Sequence, residues 1–179
     1  MTAILIVITV VLACVTSANL LLLFAVVRRL REIEASVNPP DRLPAAGFRI
    51  GEFRTGTTEG VPVVLDDLAG GPHLVAFVMP ACHPCHAVLT SLRTDNGFDP
   101  ARTLVLVSGD SANGETRAVI ALADGLGRTV VIDPDGPVAA AFGGIDSFPT
   151  LLSVRDGRVA ASGRTLDDVR PTGRLAHAG

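Results

Sequence analysis

Apolar and polar positions follow two rhythms along this chain. Residues 3–27 are almost continuously apolar, broken only by the uncharged Thr9, Thr16, Ser17 and Asn19. As a helix this run would extend about 37 Å at about 1.5 Å per residue, enough to cross a bilayer with tilt. It is long for the apolar part of a signal peptide, and no basic residue precedes it, so an uncleaved membrane helix is expected. Cys14 lies inside this run and is read as a small membrane-helix residue. Residues 28–35 can prolong the helix as a polar stub. The stretch Asn38-Pro39-Pro40-Asp41-Arg42-Leu43-Pro44 then breaks it and marks a semi-rigid linker. The expected division is a transmembrane anchor over 1–31, a Pro-rich linker over 32–46, a folded domain over 47–170 and a flexible tail over 171–179.

Within the folded part the pattern alternates between short apolar runs and helical spacing. Residues 48–53 and 61–65 are expected as short strands joined by a Gly/Thr-rich turn, followed by a loop over 66–71. Residues 73–78 and 103–108 are near-continuous apolar runs, as in central strands covered on both faces. Residues 86–94 read as helical. Val119, Ile120, Leu122, Ala123 and Leu126 give residues 115–126 the spacing of an amphipathic helix. A strand over 129–132 stops at Asp133-Pro134-Asp135-Gly136, and a short helix over 138–142 ends at Gly143-Gly144. Residues 150–154 and 158–161 flank Arg155-Asp156-Gly157, a hairpin signature, and 166–169 adds a helical turn. Strands alternating with helices and closing on a hairpin give an α/β fold, a mixed sheet flanked by helices.

The composition narrows the function. The chain has 179 residues, 48% of them hydrophobic, and a formal charge of -3. That length suits one domain with an appendage. The mild charge indicates neither nucleic acid nor an acidic partner. Trp and Tyr are both absent, which limits base stacking.

The candidate chemistry lies where the first buried strand runs into a helix, at Pro80-Ala81-Cys82-His83-Pro84-Cys85. A helix start presents unpaired N–H groups and the positive end of the dipole. A thiol held there ionises more readily, and the thiolate is the nucleophile of disulfide exchange. Cys82 is therefore the expected attacking thiol. Cys85, one turn on, can close a disulfide with it. His83 adds positive charge nearby, and Pro84 lies in the first turn, where its missing N–H costs little. Other readings remain open. The pair could be part of a Cys/His metal site with His83 or His86, or structurally inert, although zinc sites usually need a second ligand pair. His86 could also serve as a proton acceptor or lie exposed on the helix. His73 is expected to be structural, and His177 falls in the tail. A second site is Phe148-Pro149-Thr150. Proline before an apolar strand cannot donate to the ladder, and a cis bond at a tight bend would resolve this.

Together, the strand, the Cys-x-x-Cys pair at a helix start and a distant Phe-Pro-Thr before a hairpin resemble the thioredoxin fold. The anchor, linker and leading hairpin make the chain similar to the membrane-anchored TlpA-like thiol–disulfide oxidoreductases. Within these it most resembles the branch of the methylamine-utilisation accessory protein MauD. The phrases Phe77-Val78-Met79-Pro80-Ala81-Cys82, Leu106-Val107-Ser108-Gly109-Asp110 and Asp146-Ser147-Phe148-Pro149-Thr150 carry that similarity. The resemblance implies an attacking Cys82, a resolving Cys85, a cis Pro149 beside the disulfide, and backbone pairing of Phe148 with an extended substrate. It also implies protein thiols and disulfides as substrates, a membrane redox partner, no cofactor and no bound metal.

The chain departs from many relatives in carrying Ala81 where they have Trp. It also has no acidic residue in the helix after the motif and no carboxylate on the strand over 73–78. Competing classes are a thioredoxin-like copper or zinc chaperone and a non-catalytic binding module. Arg28, Arg29 and Arg31 follow the apolar run directly, which by the positive-inside rule favours a cytoplasmic domain. The resemblance implies the opposite side, where disulfides are made and remade. The expectation is a single-pass protein of the cytoplasmic membrane with residues 47–170 facing outward.

Overall fold

The computed structural model describes residues 43–170, together with 15–17, 19, 20, 22 and 24. The chain divides into two compact units, Met1–Asp41 and Arg42–Gly179. In the first, the described positions are helical and exposed. The expected anchor over 1–31 otherwise lies outside the described residues, as do most of the linker and the tail over 171–179. Among the described residues no helix is long and apolar enough to cross a membrane.

The second unit opens with a small antiparallel hairpin of β1 (Arg54–Gly56) and β2 (Pro62–Val64). The main sheet contains β3 (His73–Val78), β4 (Thr103–Ser108), β5 (Arg128–Ile132), β6 (Thr150–Arg155) and β7 (Arg158–Gly163). Their order is β5-β4-β3-β6-β7. Strands β3, β4 and β5 run parallel, whereas β6 pairs antiparallel with both β3 and β7. The helices are α1 (His83–Thr94), α2 (Gly114–Ala123), α3 (Pro137–Ala141) and α4 (Leu166–Val169). The expected α/β class and mixed sheet are present.

Local chemistry sets the helix ends. Asn113 caps α2 by accepting the Glu115 N–H at 2.9 Å, and Pro137 opens α3 with a preset φ. The chain leaves α3 through Gly143 and Gly144, at φ 95° and 75°, where a β-carbon would be disfavoured.

The strand expected over 48–53 is not a regular strand. Only Arg49 pairs there, as an isolated bridge to Arg158. Gly47, Phe48 and Ile50 instead lay backbone hydrogen bonds along the outer edge of β7 and its turn. The hairpin is displaced forward to 54–64, and the loop expected from residue 66 begins as a 3-10 turn over Leu65–Leu68. A second 3-10 turn, Pro100–Arg102, leads into β4. The helix expected to reach Leu126 ends at Ala123.

The two central strands explain their near-continuous apolar runs. On β3, Val75 and Phe77 face one core while Leu74, Ala76 and Val78 face the other. Leu104 and Leu106 of β4 oppose Val105 and Val107 in the same way. One face is covered by the hairpin, the 3-10 turn and α3. There the Phe142 ring lies 5.3 Å from that of Phe53 and 5.1 Å from that of Phe77. The other face is covered by α1, α2 and α4 through Leu89, Leu92, Val119, Ala123, Leu166 and Val169.

Candidate active site

Strand β3 delivers the chain to the site through Met79, Pro80 and Ala81. Ala81 has φ 55°, a left-handed conformation that residues with a β-carbon adopt rarely. This turn brings Cys82 to the N-cap of α1. The Cys82 carbonyl accepts the N–H groups of Cys85 and His86 at 3.0 and 3.2 Å. Its sulfur accepts the Cys85 N–H at 3.2 Å. The His86 bond is the first of the helix, and the Cys85 N–H, one of the donors that a helix start leaves unpaired, is directed at Cys82.

Cys82 and Cys85 are joined as a disulfide, with S–S 2.04 Å. The two sulfurs occupy different surroundings. Cys82 is half-buried, whereas Cys85 is 0% exposed and packs into the core beneath α1. The outer sulfur is thus open to solvent at the groove end of the sheet, and the inner one is not.

The Phe148–Pro149 bond is cis. The Thr150 hydroxyl donates to the Ser147 carbonyl at 2.7 Å and closes the bend. Pro149 and Pro84 line the same groove, of about 470 Å³, with Ala87 and Val88 of α1 on one wall and Leu166 of α4 on the other. The structure therefore brings Cys82, Cys85, Pro84, Phe148 and Pro149 to one end of the sheet. Phe148 is half-buried and packs against both cores.

The histidines are distributed differently. His83 and His86 are exposed on α1. Among the described residues no group of three or more His, Cys, Asp and Glu is placed to hold a metal ion. His73 is buried at the start of β3, where its Nε2 lies 3.1 Å from the Ala69 carbonyl oxygen.

Sequence reasoning missed the turn that closes the groove. After β7, the Asp168 carboxylate accepts the backbone N–H groups of Arg164 and Thr165 at 3.0 and 2.9 Å. It also accepts the Thr165 hydroxyl at 2.8 Å. The Thr165 N–H and hydroxyl, followed by the Arg164 N–H, hold the Asp168 carboxyl below its ordinary value of 3.8. Arg164 then reaches back, and its Nη1 donates to the Phe148 carbonyl at 3.5 Å. A signal was present: Thr165-x-x-Asp168 has the spacing of a capping box. Further out, Arg170 holds α4 to the end of α1 through Asp95 at 2.7 Å. Its hydrogen bond is the main cause that lowers the Asp95 carboxyl below 3.8.

No protein-family model matches the chain, and no curated protein matches it. Solved structures do. The thioredoxin domain of a thiol-disulfide oxidoreductase from Bacteroides vulgatus superposes with a TM-score of 0.57 at 22% identity, covering 70% of this chain and 93% of that one. The fold is that of thioredoxin. A thiol:disulfide interchange protein from a Bacteroides species gives 0.53 at 21% identity, over 66% of this chain and 80% of its own. A secreted disulfide oxidoreductase of Mycobacterium tuberculosis, described as homologous to DsbE of E. coli, gives 0.50 at 17%, over 65% and 86%. These neighbours are thiol–disulfide oxidoreductases of the thioredoxin-like type, and at such identities the likeness establishes the fold.

Proposed function

We propose that this protein is a thiol–disulfide oxidoreductase that exchanges disulfides with partner proteins through Cys82 and Cys85. One observation carries the reading. The pair joins a half-buried cysteine at a helix N-cap to a fully buried one a turn later, and Pro84 between them shares a groove with the cis Pro149. In the reduced protein the Cys82 thiolate attacks a substrate disulfide. A Cys82–substrate disulfide forms, and one substrate sulfur leaves as a thiolate. The Cys85 sulfur, giving up its proton, then attacks Cys82. This forms the Cys82–Cys85 bond and releases the second substrate sulfur. The substrate gains two electrons and the pair loses them; the reverse sequence oxidises a dithiol.

The finer reading is a membrane-tethered, TlpA-like protein of the MauD branch, with residues 1–31 as anchor and 47–170 outside the cytoplasm, served by a membrane redox partner. Its support is the apolar run over 3–27 and the motif phrases at 77–82, 106–110 and 146–150.

The test is reduction of a protein disulfide by the dithiothreitol-recycled chain. Cys82→Ser should abolish turnover, and Cys85→Ser should trap a mixed disulfide on Cys82. Turnover by Cys82→Ser at the native rate would refute the exchange chemistry. A reporter active only outside the cytoplasm, fused after Gly179, tests sidedness separately. Signal from a cytoplasm-only reporter at that position would overturn the outward placement and leave the chemistry standing.

A further inference from the structure

We propose that Arg164 is a positioning residue for the substrate-facing bend, and that it favours extended polypeptide disulfides over small ones. The inference rests on the exchange function proposed above and concerns a residue outside the Cys-x-x-Cys and Phe-Pro-Thr motifs. Three observations carry it. First, the β6–β7 register pairs Leu151 with Gly163. Continued by one residue, that register sets Arg164, just past the end of β7, across from Thr150 and so next to the Phe148–Pro149 bend. Second, the Arg164 backbone is fixed. The Asp168 carboxylate folds back over the turn and accepts the Arg164 and Thr165 N–H groups. A β-carbon on Gly163 would clash with that of Asp168, so this position has room only for glycine. Third, the Arg164 guanidinium donates to the Phe148 carbonyl and lines the groove that holds Pro84 and Pro149.

The physical role follows from what a carbonyl can do. It has two lone pairs, and Arg164 engages one. The other remains for a donor in the groove, and a donor on the first, here at the long limit of 3.5 Å, biases the direction of the group. The neighbouring Ser147 carbonyl is likewise held by the Thr150 hydroxyl. Side chains thus orient two successive carbonyls of the bend. An extended substrate segment that pairs with Phe148 depends on that orientation. A small disulfide with no peptide groups needs only access to Cys82. Loss of Arg164 should therefore separate the two substrate classes, which a general loosening of the fold would not do.

The experiment compares the native chain with Arg164→Met, which keeps an apolar stem in the groove, and Arg164→Lys, which keeps the charge. Rates are measured with a cysteine-bridged peptide and with hydroxyethyl disulfide. In Arg164→Met the peptide-to-small-disulfide rate ratio should fall about fivefold, through a higher KM for the peptide, in line with losing one hydrogen bond of ordinary net strength. Arg164→Lys should recover part of it. Amide hydrogen exchange at residues 147–151 is followed in the same variants and should quicken in Arg164→Met, whether or not the chain turns over either disulfide. If the native chain reduces neither disulfide, the exchange function fails while the amide readout still decides the role of Arg164. An unchanged rate ratio, an equal fall with both disulfides, or unaltered exchange at 147–151 would each overturn the proposal.

Discussion

The sharpest consequence of the site geometry is an inequality between two thiols three residues apart. When the disulfide is reduced, Cys82 remains at the N-cap of α1 and Cys85 in its first turn. A helix N-terminus favours a nearby anion by about 1 kcal/mol at a partly exposed position, or about fivefold in the thiolate population. Access widens the gap. Cys82 is half-buried, whereas Cys85 has 0% exposure and touches the apolar core. If reaching Cys85 needs even a modest local opening worth about 1.4 kcal/mol, a further factor of about ten follows. Cys82 should therefore be alkylated about fiftyfold faster than Cys85 near neutral pH, combining the two factors. The assay is timed iodoacetamide labelling of the reduced chain from pH 5 to 9, with peptide mapping to separate the pair from Cys14. Cys85→Ser should retain one fast thiol in the pair and Cys82→Ser one slow thiol. Serine is itself a good N-cap, so α1 should remain formed in the second variant. Equal rates, or a faster Cys85, would refute the assignment of attacking and resolving roles.

Other outcomes follow from the same structure. Phe142 is fully buried between Phe53 and Phe77; Phe142→Ala should lower unfolding stability by about 3–5 kcal/mol in urea titration, and a loss under about 1 kcal/mol would place that ring outside the core. Ala81 has a positive φ, so Ala81→Gly should raise stability by up to about 1 kcal/mol; destabilisation would contradict the strained turn. Asp95 and Asp168 both sit below 3.8 in the folded chain. A depressed carboxyl contributes stability that is fully present above its unfolded value and is lost as pH falls through the folded one. Acid titration should thus show stability declining from about pH 4 downward, with a shallower decline in Asp95→Asn; an identical acid limb in that variant would refute the contribution of the Arg170 contact.

Most of the sheet was legible because its strands carry a simple burden. Residues 73–78 and 103–108 are covered on both faces, and double burial writes itself as an unbroken apolar run. The hairpin at Arg155-Asp156-Gly157 was equally plain, since Asp156 and Gly157 both take positive φ there. The entry to the domain was not. Phe48 and Ile50 are core-facing, which reads as a strand, yet their chain only skirts the edge of β7. Periodicity reports which face is buried, not whether a ladder continues. Nor did it separate α2 from the Asp124–Leu126 turn, because Leu126 stays buried after the helix has ended.

The site divides along a similar line. Cys82, Cys85 and Pro149 could be named from the sequence because each has a chemistry or a backbone preference that few other residues share. Arg164 could not, because nothing in an arginine of the sequence announces that the β6–β7 register sets it beside the Phe148–Pro149 bend. One gap seen in the sequence persists in the fold. Neither β3 nor α1 carries a carboxylate, and His83 and His86 are exposed whereas Cys85 is not. In the proposed exchange, Cys85 must still lose a proton before it attacks the mixed disulfide. The reaction itself provides an acceptor: the thiolate released from the substrate when Cys82 attacks. If the proton passes to that sulfur as Cys85 attacks, the negative charge moves to the departing second substrate sulfur and does not come to rest on Cys85 in the apolar floor beneath α1, where an isolated charge would be costly. In the proposed exchange this favours substrates whose two sulfurs stay close after the first step, so that the sulfur freed first takes up the Cys85 proton.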